Sequence, residues 1–130
     1  MDWVLVGVLA VWGKVDETVP PHLILPITVE PTKRHLCHDE RYLNLWIKGL
    51  LFSLDHLSDL PRYVLPGHFQ TCFDDNSGYQ HVLLHPSSRT YFDLEFHDIY
   101  FVFRTIPFGW KSSAFIYHKL GLAVSDACVH

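Results

Sequence analysis

The residues best suited to chemistry in this sequence are two adjacent carboxylates, Asp74 and Asp75, which follow an apolar run that ends at Phe73. A carboxylate at the end of a short strand can hold a hard cation such as Mg²⁺, and Gly78, four residues after Asp74, lets another backbone come close. Short polar side chains and glycine are also ordinary turn formers. Taken alone, the stretch Phe73–Tyr79 favours a turn over a metal site.

The length and composition predict one packed domain, or a piece of one. The chain has 130 residues and a mass of 15.1 kDa, which suffices for a single hydrophobic core. Hydrophobic residues make up 48% of it and charged residues only 18%, and this balance excludes a disordered chain.

The charge pattern counts against a stand-alone nucleic-acid-binding module. The formal net charge is -4, and the lysines and arginines are scattered rather than gathered in a stripe. Three widely spaced cysteines predict reduced thiols and a cytoplasmic or nuclear location. The apolar segment Trp3–Trp12 is too short to span a bilayer and lacks a basic flank, so no membrane partner is expected.

Short strands and helices are predicted on both sides of Asp74, which indicates an α+β chain. The β-prone runs are His22–Val29, Leu36–His38, Phe69–Phe73, Thr90–Phe96 and Ile99–Arg104. Leu36–His38 is the candidate partner of His22–Val29, and the last two runs are joined as a hairpin at His97-Asp98. Helical spacing or capping marks Tyr42–Phe52, a start at Ser58–Pro61, and a final helix from Ser112 or Ser113 to Val124. The apolar residues Phe115, Ile116, Leu120 and Ala123 are predicted to lie on one face of this final helix. Helix and extended chain are both open for Tyr79–Leu84.

Three blocks of sequence, taken in order, resemble a reverse transcriptase. They are LCHDERYLN (36–44), FDDNSGYQHVLLHPSSRTYF (73–92) and FRTIPFGWKSSAF (103–115), and they are most similar to the DIRS-like group of retrotransposons. The resemblance implies a partial fingers-palm of a right-hand polymerase, with residues 1–68 fingers-like and residues 69–130 the start of the palm plus a fingers hairpin.

The resemblance also implies roles for individual residues. Asp74 falls on the first catalytic aspartate and metal ligand, and the backbone carbonyl of Asp75 falls on the adjacent Mg²⁺ contact. Nucleotide contacts are implied for Asp75, Tyr79, Phe108, Gly109 and Trp110, and template contacts for Asp39, Arg41, Asn44 and Lys111. The implied cofactor is Mg²⁺, and the implied partners are an RNA or DNA template-primer and a deoxynucleoside triphosphate.

The sequence departs from the family pattern where its other two aspartates belong. Those aspartates sit in a Tyr-x-Asp-Asp hairpin after the final helix, and this sequence ends at His130 before such a hairpin. Because one carboxylate of three cannot hold two divalent ions tightly, we expect no polymerisation by this chain alone. We also expect marginal stability or self-association. The alternative is a retained non-catalytic module that binds protein or nucleic acid.

Smaller departures and competing interpretations remain open. His35 stands where many family members carry an arginine, and Asp93 and His97-Asp98 stand where glycines are more usual. His35-x-Cys37-His38 and His81-x-x-x-His85 offer zinc ligands, but the first lacks a second ligand pair and the second lacks a glutamate. The aromatic run at 100–103 could stack bases, although core packing explains it better.

Overall fold

The chain forms two small antiparallel sheets and three α-helices within residues 3–30, 32, 35–71 and 74–129, the part that this computed structural model describes. The strands are β1 (Leu9–Lys14), β2 (Ile27–Glu30), β3 (His35–His38), β4 (Asp93–Phe96) and β5 (Ile99–Phe103). The helices are α1 (Arg41–Trp46), α2 (Leu60–Tyr63) and α3 (Ser113–Val129), and 3₁₀ turns occupy Leu57–Asp59, Gly78–His81 and Pro86–Tyr91. None of these helices is both long and apolar enough to cross a membrane. The predicted α+β class with short antiparallel sheets is confirmed.

The larger sheet has the order β1-β5-β4 and contains the predicted hairpin. Phe96 pairs with Ile99, so His97 and Asp98 alone form the turn, with φ of 50° and 58°. Two positive φ values give a turn whose twist matches that of the flanking strands. The position therefore suits glycine or asparagine best, yet the chain places a histidine and an aspartate there.

The smaller sheet pairs β2 with β3, as the sequence predicts, with Ile27 opposite His38. The chain just before β2 lies along the free edge of β4, where the Leu25 amide donates to the Asp93 carbonyl at 2.8 Å. The two sheets are thereby joined through the start of β4.

The core lies on one face of the larger sheet. Leu9 of β1 is directly opposite Phe103 of β5, so the two side chains point to this face. Leu94 of β4 points to the same face, because side chains alternate between the two faces along a strand. Leu25, Leu43, Leu84, Phe92 and Ile106 complete the buried cluster. Leu43 belongs to α1, so this helix is held against the sheet close to the chain that follows β5.

Several predicted boundaries are wrong. The helix predicted over Tyr42–Phe52 covers only Arg41–Trp46, because Ile47 takes an extended backbone with ψ of 126°. Residues 69–71 of the predicted strand Phe69–Phe73 form no strand, and Phe69 is fully exposed without a sheet to pair with. Cys72 and Phe73 lie outside the described residues.

The other boundary corrections lie after Asp74. The run Thr90–Phe96 pairs only from Asp93, since Thr90 and Tyr91 belong to a 3₁₀ turn. The final helix starts at Ser113, as predicted, and continues past Val124 to Val129. Of its predicted apolar face, Phe115 and Ile116 are half-buried, whereas Leu120 and Ala123 are exposed.

Candidate functional site

The two adjacent carboxylates, Asp74 and Asp75, lie on an exposed loop immediately before the 3₁₀ turn Gly78–His81. Asp75 Oδ2 accepts a hydrogen bond from the Tyr117 hydroxyl on α3. The described residues offer the Asp74 carboxylate no hydrogen-bond partner. Among the described residues, the Asp75 carboxylate therefore has a hydrogen-bond partner and the Asp74 carboxylate has none.

Tyr79 connects these carboxylates to the bend at Phe108. Its ring centroid lies 4.8 Å from that of Phe108 and 5.3 Å from that of Tyr117, the latter nearly edge-to-face at 72°. Both distances fall within the range of favourable aromatic pairs. Three residues singled out in the sequence, Asp75, Tyr79 and Phe108, thus come together through Tyr117, which sequence reasoning missed.

Gly78 leaves the space that the Tyr117 side chain occupies. Its φ is not positive, so no unusual backbone conformation requires glycine there. A Cβ at this position would instead overlap the hydroxyl and ring of Tyr117. The glycine provides space for a side chain that lies 39 positions further along the chain, which no local pattern indicates.

The bend at Gly109 requires glycine for both conformation and space. Its φ is +92°, and a Cβ would lie 3.4 Å from Glu40 Cγ and 3.5 Å from the His38 carbonyl oxygen. The bend is therefore seated directly on the end of β3 and the start of α1.

Asn44 ties α1 to the same bend through both ends of its amide. Its Nδ2 donates to the Gly109 carbonyl at 2.8 Å, and its Oδ1 accepts from the Lys111 backbone amide at 2.8 Å. The predicted template residues Asn44 and Lys111 thus meet, although the contact uses the backbone of Lys111. The arrangement fixes the spacing between the helix and the Phe108–Lys111 segment.

Replacing Asn44 should loosen this connection. We expect Asn44→Ala to cost about 1–3 kcal/mol of unfolding free energy, because it leaves one backbone donor and one backbone acceptor without their partner. Asn44→Asp keeps the acceptor for Lys111 but cannot donate to Gly109, so it should fall between wild type and Asn44→Ala. Denaturant titration of the three proteins measures the order. Equal stability of Asn44→Ala and wild type would show that the two hydrogen bonds of the Asn44 side chain contribute nothing to the free energy of unfolding.

The remaining template residues, Asp39 and Arg41, form a surface ion pair at the start of α1. Arg41 Nη2 lies 2.6 Å from Asp39 Oδ2, and Arg41 Nε donates to both carboxylate oxygens. The hydrogen bonds from Arg41 lower the pKa of Asp39 to about 2. The Arg41 side chain is 90% exposed, so its other donors face outward.

Trp110 is not brought to the aromatic group around Tyr79. Its ring packs edge-on against Phe92 at 5.0 Å, and its Nε1 is buried with no hydrogen-bond partner in the described part of the chain. Trp110 lines an apolar cavity of about 460 Å³ together with α1 residues Leu43 and Trp46. Tyr79, Phe108 and Gly109 line a different cavity of about 440 Å³.

A buried polar pair lies beneath the Gly109 bend. His38 Nδ1 lies 2.7 Å from Glu40 Oε1, and His38 Nε2 lies 3.1 Å from the Asp93 carbonyl oxygen. Because a carbonyl can only accept, Nε2 must carry a proton. A second proton then lies between Nδ1 and Glu40, so the pair as a whole is neutral whichever partner holds it. Both ring nitrogens of His38 are therefore used in hydrogen bonds, and the one to Asp93 joins β3 to β4.

The other histidines weighed as zinc ligands also have local partners. The His81 ring is bonded to the Asn76 carbonyl at 3.0 Å, and His85 Nδ1 accepts from Ser87. Across the described residues, no three side chains of histidine, cysteine, aspartate or glutamate gather as a metal site. Arg34 and the side chain of His35 lie outside the described part of the chain.

The oxygen donors at Asp74 and Asp75 fit Mg²⁺ only in part. Mg²⁺ prefers oxygen ligands and keeps several waters, so it is commonly held by one or two carboxylates together with substrate phosphates. A free carboxylate at Asp74 and a neighbouring backbone carbonyl supply two such ligands. Tight binding therefore requires ligands from a substrate or from another segment of protein.

Comparisons with known proteins identify no relative of this chain. No family model, no curated protein and no solved structure matches it. Its function is therefore inferred from its own residues and their geometry.

Proposed function

We propose that this chain is the front part of an RNA-directed DNA polymerase of the reverse transcriptase type, folded as a partial fingers-palm. The observation that carries the proposal is that the Tyr79 ring contacts two features. One is Phe108 of the glycine bend, and the other is Tyr117, whose hydroxyl donates to Asp75. Tyr79, Phe108 and Gly109 thus line one cavity, and Asp75 is linked to this group through Tyr117.

The proposal assigns a role to each part. Asp74, with the Asp75 carbonyl, holds Mg²⁺, which when bound would polarise phosphate oxygens and favour attack by a primer hydroxyl. Tyr79 lies beneath the sugar of the incoming nucleotide, and Phe108 and Gly109 line the nucleotide side of the cavity. Trp110, which packs against Phe92 and lines the other cavity, has no direct nucleotide contact in this proposal.

Template contacts fall to α1 and the segment after Gly109. Arg41 offers outward-facing guanidinium donors, and Asp39 orients them through its ion pair. Asn44 sets the distance between α1 and Lys111, whose side chain is exposed. These groups lie on the surface around the bend that adjoins the Tyr79 cavity.

The experiment is primer extension on an RNA template, with a polymerase segment that carries the Tyr-x-Asp-Asp hairpin added to the chain. We expect no extension by the chain alone and extension with the added segment. Asp74→Asn should lower the rate by at least about 10²-fold, because several kcal/mol of transition-state stabilisation are lost. Asp16→Asn, an exposed aspartate in another turn, is the matched control. Extension that survives Asp74→Asn would exclude Asp74 as a metal ligand.

The second candidate is a non-catalytic module that binds single-stranded nucleic acid through the α1 surface. The exposed Arg41 guanidinium favours it, since phosphate contacts need no second metal site. Binding of RNA by the 130-residue chain should then weaken as salt is raised, and Arg41→Gln should reduce the slope by about one unit. An affinity that is flat across salt concentrations excludes this candidate.

A further inference from the structure

The two adjacent aspartates, Asp74 and Asp75, have unequal surroundings. Both are exposed, yet only Asp75 has a hydrogen-bond partner in the described structure, the Tyr117 hydroxyl. Tyr117 lies in the second turn of α3, a helix whose first turn is anchored by the buried Ser113, whose hydroxyl donates to the Pro107 carbonyl at 2.7 Å. The partner of Asp75 is therefore presented by an ordered element rather than by a loop.

The approach of Tyr117 depends on two features of the neighbouring turn. Gly78 has no side chain, which leaves room for the phenol. Ser77 takes a left-handed backbone with φ of 56°, a conformation that is unfavourable for a residue other than glycine. The turn between Asp75 and Tyr79 thus wraps around the phenol, and the Tyr79 ring packs edge-on against the Tyr117 ring.

We propose that Tyr117 is a positioning residue that withdraws the Asp75 carboxylate from cation binding and leaves Asp74 as the free carboxylate ligand. This inference rests on the proposed function, in which Asp74 binds a divalent cation. Tyr117 also packs edge-on against the ring of Tyr79, which in turn contacts Phe108. The Tyr117 side chain therefore determines which carboxylate is free to bind the cation, and it also packs against the Tyr79 ring.

The physical reason is competition for the oxygens of Asp75. Two free neighbouring carboxylates would bind a cation in the absence of nucleotide, since each adds charge attraction and oxygen ligands. A phenol that donates to one of them occupies an acceptor and fixes its direction. The tyrosine hydroxyl is an ordinary hydrogen-bond donor at neutral pH, and in this structure its partner is Asp75. Cation binding then depends on Asp74 together with ligands that arrive with the substrate.

The contact itself is tested without any metal, by a double-mutant cycle on the whole chain in the presence of a chelator. The variants are Tyr117→Phe, Asp75→Asn and the pair together, and unfolding is followed in denaturant. The two single changes should be non-additive by about 3-fold or more in the unfolding equilibrium constant, as expected for groups in direct contact. Tyr63→Phe, an exposed tyrosine on α2, is the matched control. Additive effects would show that the bond is not formed, and they would overturn the inference.

The consequence is tested with Mn²⁺ as the probe, by electron paramagnetic resonance titration of the same proteins. Tyr117→Phe should bind Mn²⁺ about 5-fold more tightly than wild type, because its Asp75 carboxylate is free to contact the cation directly. Asp75→Asn/Tyr117→Phe should lose this gain and bind Mn²⁺ no more tightly than Asp75→Asn. Unchanged affinity in Tyr117→Phe, or no binding by it at millimolar Mn²⁺, overturns the inference.

The same titration separates this inference from the proposed function. If Asp74→Asn binds Mn²⁺ as tightly as wild type, Asp74 is not the ligand, and the proposed function fails even though the double-mutant cycle shows the Tyr117 contact. If Asp74→Asn loses binding while Tyr117→Phe behaves as wild type, only the role of Tyr117 fails.

Discussion

Raising the pH from about 4 to about 8 should destabilise this protein, because the carboxyl group of Asp93 is buried in the sheet, where its charged form is unfavourable. Its side chain is fully buried, and neither carboxyl oxygen has a hydrogen-bond partner among the described residues. Burial raises the pKa of Asp93 from 3.8 to about 8. Its backbone carbonyl, in contrast, accepts from both the Leu25 amide and the His38 ring.

The direction of the effect follows from proton linkage. Below the ordinary pKa of 3.8 the side chain is protonated in both states, and its contribution is fully favourable. Between there and about 8 the unfolded chain has lost the proton while the folded chain keeps it, so unfolding becomes easier as the pH rises. The slope for one proton is limited to about 1.4 kcal/mol per pH unit.

Denaturant titrations across this pH range measure the slope, and Asp93→Asn is the matched variant. Asparagine keeps the shape without an ionisable group, so its stability should be nearly flat where that of the wild type falls. Glu95→Gln changes an exposed carboxylate in the same strand and should leave the wild-type slope in place. A wild-type slope that persists in Asp93→Asn would assign the effect to another group.

Breaking the buried pair of His38 and Glu40 should cause the largest loss of stability at constant pH. The side chains of the pair are only 2% and 1% exposed, and Glu40 Oε2 already lacks a partner. His38→Leu would leave Glu40 buried with no partner, which costs about 3–5 kcal/mol. The Asp93 carbonyl would keep the Leu25 amide, so little of the loss arises there.

The matched control replaces both members of the pair. His38→Leu with Glu40→Met removes the buried polar groups together, so most of the stability lost in the single variant should return. Glu40 makes no side-chain cap to α1, and its replacement therefore removes no capping bond. If the double variant is less stable than His38→Leu alone, the pair is not the source of the loss.

The local elements of this fold were predictable because neighbouring residues determine them. The hairpin at His97-Asp98 follows from two β-prone runs separated by two residues, and the pairing of β2 with β3 follows from a similar pattern. Ser113 begins the final helix, as its capping chemistry indicates. The strand predicted at Phe69 failed because a β-prone composition provides no partner strand.

Residues of the candidate site could be predicted only where a sequence motif or a family resemblance marks them. Asp74 was singled out by its residue type and position, and Tyr79 and Gly109 by the resemblance to a reverse transcriptase, whereas Tyr117 meets Asp75 through a contact 42 positions apart along the chain. The burial of Asp93 was equally hidden, since an aspartate in a strand ordinarily faces water. Both features depend on the packing of distant segments, which single-sequence periodicity does not encode.

The pairing of β1 with β5 has a consequence for how this chain acquires its structure. The central strand of the larger sheet is the last to be synthesised, so β1 must wait for about 85 further residues before it finds its neighbour. Until then the apolar residues of β1 are open to other chains, which makes slow folding and early aggregation on the ribosome the expected hazard. The β4–β5 hairpin, closed by two residues, can form first and serve as the template on which β1 docks.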